Sequence, residues 1–156
     1  MNAILNHPIF VQSMQKNKAS ESDRPYCKHG LAHALDVARI AMLINMEEAL
    51  GFSKDVVYAV ALLHDVTKWQ QYLIGIPHHE SAIAPATAVL RDCGFTVEET
   101  TLICDAIRHH RDGPPDNAAF ARLIFRADKL SRACFSCDSG DTCNWGADKK
   151  NTALSY

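Results

Sequence analysis

The chain has 156 residues, 47% of them hydrophobic, and a formal net charge of −2, which fits one domain spanning residues 1–156 with a full core. The near-neutral charge, without a long basic run, argues against a nucleic acid polymer as partner, because phosphate-backbone binding needs clustered Lys and Arg. No apolar run reaches the ~20 residues that cross a membrane, and Met1 to Met14 lacks the pattern of a secretory signal, so the expected location is the cytoplasm and no membrane partner is expected.

The predicted elements are all helical. Pro8 suits the first turn of a short opening helix carrying Ile9, Phe10 and Met14, a segment that can also serve a homodimer contact. Ser20 to Lys28 is polar and breaks the pattern. A long helix is predicted from about Gly30 to Leu50, with Leu31, Leu35, Ala38, Met42 and Met46 at helical spacing; Gly51 ends it. Ser53 is a plausible N-cap for the next helix, which runs to His64. Trp69 to Pro77 reads as a loop. A helix from about Glu80 to Cys93 stops at Gly94. Thr96 and Glu99 have capping-box spacing for a helix to about His109. Asp112-Gly113-Pro114-Pro115-Asp116 is a break, and the last helix spans roughly Ala118 to Ala133. Alternation is absent and Ala is abundant, so the fold class is all-α: a compact helical bundle. The bundle core covers 18–133, and an irregular cysteine-containing tail covers 134–156.

The chemistry concentrates on His64-Asp65, which closes the apolar run Val56 to Leu63. Side by side at a helix end, an imidazole and a carboxylate make a poor core and a good metal site. His33 and Asp128 lie on other predicted helices and complete a four-ligand set with open positions for water and substrate. A mixed nitrogen and oxygen set suits Fe, Mn, Zn, Ni or Co better than Ca. A metal there lowers the pKa of bound water from ~16 toward ~7 and polarises a phosphoryl oxygen.

Four segments carry a resemblance. They are His33-Ala34-Leu35-Asp36-Val37-Ala38-Arg39, Leu62-Leu63-His64-Asp65-Val66-Thr67-Lys68, Ala106-Ile107-Arg108-His109-His110-Arg111-Asp112-Gly113 and Ala127-Asp128-Lys129-Leu130-Ser131-Arg132. In this order they resemble the HD-domain metal-dependent phosphohydrolases from about Cys27 to Arg132. The resemblance implies a helical fold and a metal held by His33, His64, Asp65 and Asp128. It also implies hydrolysis of a phosphate ester or anhydride, usually in a small nucleotide. Members with extra histidines hold a second metal, with the aspartate of the pair bridging. Here His110 fits that role better than His109 by its spacing to Ile107 and Gly113. In Pro77-His78-His79-Glu80, His79 is slightly preferred over His78. Asp65 and Lys68 are the catalytic candidates, Lys68 through the substrate phosphate as in the family. Lys68, Arg111 and Arg132 are candidates for gripping phosphate oxygens. Asp36 and Arg39 can pair with each other or orient the ligands; His7 and His29 fall on no motif. Two rival readings share the scaffold: a di-iron oxygenase, and a sensor that binds a nucleotide or metal without turnover.

The tail holds Cys134, Cys137 and Cys143 as C-x2-C-x5-C, a chelating spacing with room for a fourth ligand. Cys27 lies six residues before His33, and Cys134 six after Asp128. If those helices are antiparallel, both cysteines shift to the same end by about 9 Å, at about 1.5 Å per residue. Cys27, Cys134, Cys137 and Cys143 are thus expected to form a structural zinc or iron–sulfur site that pins the tail. Cys93 and Cys104 read as core fillers.

Overall fold

A computed structural model of the chain describes residues 1–111, 113–147 and 149–156; Asp112, part of the predicted break, lies outside them. The described residues contain helices and turns and no strand. The opening segment splits in two: α1 (Asn2–Asn6) and α2 (Pro8–Ser20), with Pro8 at the first helical position and the His7 ring accepting from the Ile9 amide. Then come α3 (Leu31–Glu47), α4 (Lys54–Leu63), α5 (Lys68–Ile74), α6 (His78–Ser81), α7 (Ile83–Asp92), α8 (Val97–His109) and α9 (Ala119–Leu130).

Helix α4 is the centre of the bundle. Val56, Val57 and every residue from Ala59 to Leu63 are buried, as expected of a helix covered on nearly all sides. It packs on α3 and α8, and α3 and α8 each pack on α9. Arg126 pairs with Glu48 at 2.8 Å, Ser131 with His33 at 3.2 Å, and Arg132 with the Lys28 carbonyl at 3.5 Å. Pairs that rise along one helix and fall along the other make α9 antiparallel to α3. The Ser53 hydroxyl accepts from the Val56 amide, and Thr96 and Glu99 form a reciprocal capping box, an arrangement worth about 1 kcal/mol per cap.

Three predicted boundaries are corrected. The long helix stops at Glu47 rather than Leu50, with Ala49 in the left-handed region at φ 50°. Trp69 to Pro77 is largely helix α5, not loop, ending at Gly75 with φ 74°. Its support comes from far along the chain: the buried Asn17 side chain donates to the Asp65 carbonyl (2.9 Å) and accepts from the Trp69 amide (2.8 Å). The predicted helix from Glu80 to Cys93 is two helices, α6 and α7, separated at Ala82. Pro85 has no N–H to give to the Ser81 carbonyl, so one continuous ladder cannot form there.

Candidate metal centre

His64 caps the C-terminal end of α4, and the chain turns immediately after it: the Val66 amide reaches the Leu63 carbonyl and the Lys68 amide the Asp65 carbonyl. That irregular turn lets neighbouring side chains face the same point. His33 comes from α3, Asp128 from α9, His78 from the first position of α6, and His110 from the C-cap of α8.

These residues form two groups, His33 with His64, Asp65 and Asp128, and Asp65 with His78 and His110. Within each, the donor atoms lie within 4.8 Å of one another. All six are buried. Asp65 belongs to both groups, and its two oxygens divide the work. Oδ2 lies 3.1 Å from His64 Nε2 and 3.5 Å from His33 Nε2. Oδ1 lies 3.1 Å from His78 Nε2 and 3.8 Å from His110 Nε2. Asp128 Oδ1 lies 3.3 Å from His33 Nε2.

The hydrogen bonds around the imidazoles fix which nitrogen faces inward. His64 Nδ1 donates to the Ala61 carbonyl at 2.8 Å, and His110 Nδ1 to the Ile107 carbonyl at 2.6 Å. His78 Nδ1 donates to Gln71 Oε1, with Lys68 Nζ 3.2 Å from the same nitrogen. The Ser131 hydroxyl donates to the Asp128 carbonyl at 2.8 Å, which leaves its oxygen to accept from His33 Nδ1. Each ring therefore presents an Nε2 lone pair to the centre, the tautomer a metal requires. His64 Nε2 is buried with no hydrogen-bond donor among the described residues. The Nε2 atoms of His78 and His110 face each other at 2.9 Å. Lone pairs packed against one another and against a carboxylate repel unless a cation lies among them, so the set fits a divalent metal.

The electrostatics differ between the rings: burial would lower His33, but Asp128 and Asp65 beside it outweigh burial and raise it. Burial drives His78 down to about 2, with Lys68 adding to that push against the pull of Asp65, so the ring stays neutral and able to ligate. Burial alone would raise Asp65 and Asp128. Protonated rings of His64, His29 and His110 around the first, and of His33 with the cations Arg132 and Lys129 around the second, hold both carboxyls well below the usual range; with the rings neutral, a bound cation would supply that positive charge.

The structure corrects the preference for His79. Adjacent residues on a helix diverge by roughly 100°, and α6 starts at His78, two residues earlier than predicted. The Thr67 hydroxyl donates to the His78 carbonyl (3.2 Å) and meets Ser81 Oγ at 2.7 Å, which turns His78 inward. His79 joins neither group and lies 3.8 Å from Glu80. His109 is outside, 3.7 Å from Asp105 and half exposed. Asp36 and Arg39 form an exposed ion pair at 3.4 Å, apart from the ligands. Sequence reasoning passed over Thr67 and Gln71, whose only signal is their distance from the histidine pair along the chain.

It also passed over His29. This ring lines the cavity above the ligands, and Glu21 and Tyr72 hold it: the His29 amide donates to Glu21 Oε2 at 2.8 Å, its Nδ1 bonds Glu21 Oε1, and the Tyr72 hydroxyl donates to Glu21 Oε1 at 2.9 Å. The cavity has a volume of about 360 Å³ and opens onto Asp65, His78, His110 and Asp128. Its walls carry Arg24, Lys68, Arg111, Lys129, Arg132 and Lys150. Burial lowers the Lys68 ammonium, and Asp65 and Asp128 oppose that shift. Arg132 does not simply await a ligand: its Nη2 contacts His33 Nε2 at 2.9 Å and Asp128 Oδ1 at 3.3 Å.

Cys27, Cys134, Cys137 and Cys143 line the same cavity. Among the described residues, no three of their sulfurs lie within 4.8 Å of one another, so the expected closed four-thiol set is not assembled here. Cys104 is buried and contacts Thr87 Oγ1 at 3.4 Å, while Cys93 is half-buried at the end of α7.

A helical bundle that converges buried histidines and aspartates from α3, α4, α6, α8 and α9 beneath a cationic cavity defines a metal-binding domain. The model of the HD domain matches residues 30–133, and the chain belongs to the HD-domain family. It is 48% identical over 155 residues to an uncharacterized protein of Clostridium beijerinckii, covering 99% of this chain and 98% of that one. Its fold is similar to the crystal structure of a predicted HD superfamily hydrolase from an uncultured Thermotogales bacterium. That match has a TM-score of 0.62 at 22% identity and covers 91% of this chain and 81% of the other.

Proposed function

We propose that this protein is a metal-dependent phosphohydrolase that cleaves a phosphate ester or anhydride of a small nucleotide. The observation that carries the reading is the division of Asp65 between two ligand groups beneath a cavity walled by cations. His33, His64, Asp65 and Asp128 would hold one divalent ion, and Asp65, His78 and His110 a second; Fe, Mn, Ni, Co or Zn suits these donors. Such ions supply an activated water and Lewis acidity at phosphorus.

The chain's own groups do the rest. Lys68, Lys129 and Arg111 place positive charge where phosphate oxygens gather. The His29 ring is lowered by burial and gives its Nδ1 proton to Glu21, so its Nε2 lone pair is left to accept a proton in the cavity, a role suited to an oriented imidazole. Tyr26, Tyr72 and Trp145 give the cavity flat apolar surface suited to a nucleobase. No helix among the described residues is long and apolar enough to cross a membrane.

The test is phosphate release from a panel of nucleoside monophosphates and dinucleoside polyphosphates. The protein is loaded in turn with Mn, Fe, Co, Ni or Zn. Turnover that stops with chelator is expected. Tight nucleotide binding without turnover across all metals, or turnover only with O₂, would replace this reading with a sensor or an oxygenase.

A further inference from the structure

We propose that Cys27, Cys134, Cys137 and Cys143 hold a second kind of metal centre, a thiolate-bound zinc ion or iron–sulfur cluster, that staples the C-terminal tail over the mouth of the cavity. The inference does not depend on the reaction proposed above.

Three observations carry it. First, the four cysteines line one cavity although they come from two segments more than a hundred residues apart. Second, those segments are joined by two hydrogen bonds next to the sulfurs. Ser139 Oγ donates to the Pro25 carbonyl at 2.7 Å, and the Tyr26 hydroxyl donates to the Thr142 carbonyl at 3.2 Å. Pro25 and Tyr26 immediately precede Cys27, while Ser139 and Thr142 lie between Cys137 and Cys143. The antiparallel pairing of α3 and α9 sets this register. Third, the tail is ordered into tight turns with no buried residue of its own to hold it. The Cys137 amide reaches the Cys134 carbonyl, the Gly140 amide the Cys137 carbonyl, and the Thr142 amide the Ser139 carbonyl. A side chain at Gly140 would press its Cβ to 3.2 Å from the Cys137 carbonyl oxygen. Yet among the described residues none beyond Arg132 is buried. Irregular segments without a core of their own are commonly held by disulfides or metals.

The thiols are free. No three sulfurs yet meet as closely as a single zinc ion gathers its ligands. A bound metal would need the knuckle at Cys134 and Cys137 brought toward Cys27 and Cys143, and each thiol would lose a proton to become a ligand. The tail also carries Trp145 and Lys150 into the cavity wall, so the centre sets the position of two groups that would meet a substrate.

The experiment uses the full chain, purified anaerobically without added metal or chelator, beside Cys27→Ser, Cys137→Ser and Cys93→Ser variants. Metal content, acid-labile sulfide, visible absorption and hydrogen exchange of 134–156 are measured, with helical circular dichroism as the folding control. Iron with labile sulfide, or zinc alone, identifies which centre is present. The expected result is loss of that metal and a ten-fold or greater rise in tail exchange in Cys27→Ser and in Cys137→Ser, but not in Cys93→Ser. Metal held by the histidine and aspartate groups stays in all three. Equal metal content in every variant, or a disulfide between any two of the four cysteines in the anaerobic protein, overturns the proposal. So does wild-type tail protection in both folded variants.

Discussion

His78 Nε2 lies 2.9 Å from His110 Nε2, and Asp65 Oδ1 lies 3.1 Å from the first and 3.8 Å from the second. Two ring nitrogens whose protons are committed elsewhere do not approach this closely beside a carboxylate without a positive charge to gather them. On the other side of the same carboxylate, Oδ2 faces His33 and His64. Asp65 therefore joins two groups of donors rather than completing one.

This geometry separates the adjacent histidines His78 and His79. His78→Ala should lose up to one equivalent of bound metal and more than about 100-fold in turnover, since losing even an outer partner of a ligand costs about 10–100-fold. His79→Ala should keep its metal. Metal analysis with phosphate-release kinetics on both variants checks this; equal losses would erase the distinction.

Gln71 and Thr67 touch His78 rather than the metal position. Gln71→Leu frees the Nδ1 proton, and Thr67→Val removes the bond to the His78 carbonyl. Each should weaken the metal at Asp65, His78 and His110 by about 10–100-fold, leaving the group with His33 and Asp128 near wild type. Metal titration resolves the two affinities.

Lys68 is expected to act on phosphate charge. Lys68→Ala should lower kcat/KM by about 100–1000-fold, the range for removing one group that meets developing charge. Metal content should not change. If metal content falls with activity, the side chain is holding His78 in place instead, through the contact at 3.2 Å.

Glu21 gives a pH signature in the metal-free protein. Burial would raise its carboxyl, but the His29 side chain and amide outweigh burial and hold it below its ordinary value of 4.5. A group lowered on folding stabilises the fold above its unfolded pKa, and that stabilisation is lost as pH falls through the folded value. Glu21→Gln should be less stable at neutral pH, with a flatter decline below about pH 5. Urea midpoints across pH 3 to 7, roughly the carboxylate range, measure the difference. Parallel curves for the two proteins would remove Glu21 from the account.

Leu63 is fully buried and immediately precedes the pair. Leu63→Ala should cost about 2–5 kcal/mol and loosen the metal groups along with the core, seen together in thermal unfolding with and without metal.

The parts of the fold readable from the chain are those that rest on local chemistry. The Ser53 cap, the Thr96 and Glu99 capping box, the apolar run of α4 and each of the four motifs stand within short windows. Helix α5 was not readable because Asn17, some fifty residues away, satisfies the backbone at its start. The choice between His78 and His79 turned on where α6 begins, which Thr67 settles across an eleven-residue gap. His29 lacked a motif because its partners, Glu21 and Tyr72, meet it only after folding. The shared role of Asp65 in two groups is likewise a property of five converging helices.

Metal stoichiometry at Asp65 is the most direct measurement of the central claim. Protein reconstituted with Mn or Fe and freed of excess is compared with Asp65→Ala, His64→Ala/Asp65→Ala and His78→Ala, all in the same cysteine background. The account predicts that wild type holds about two more ions than either Asp65 variant, and about one more than His78→Ala. Wild type holding no more metal than Asp65→Ala would contradict it.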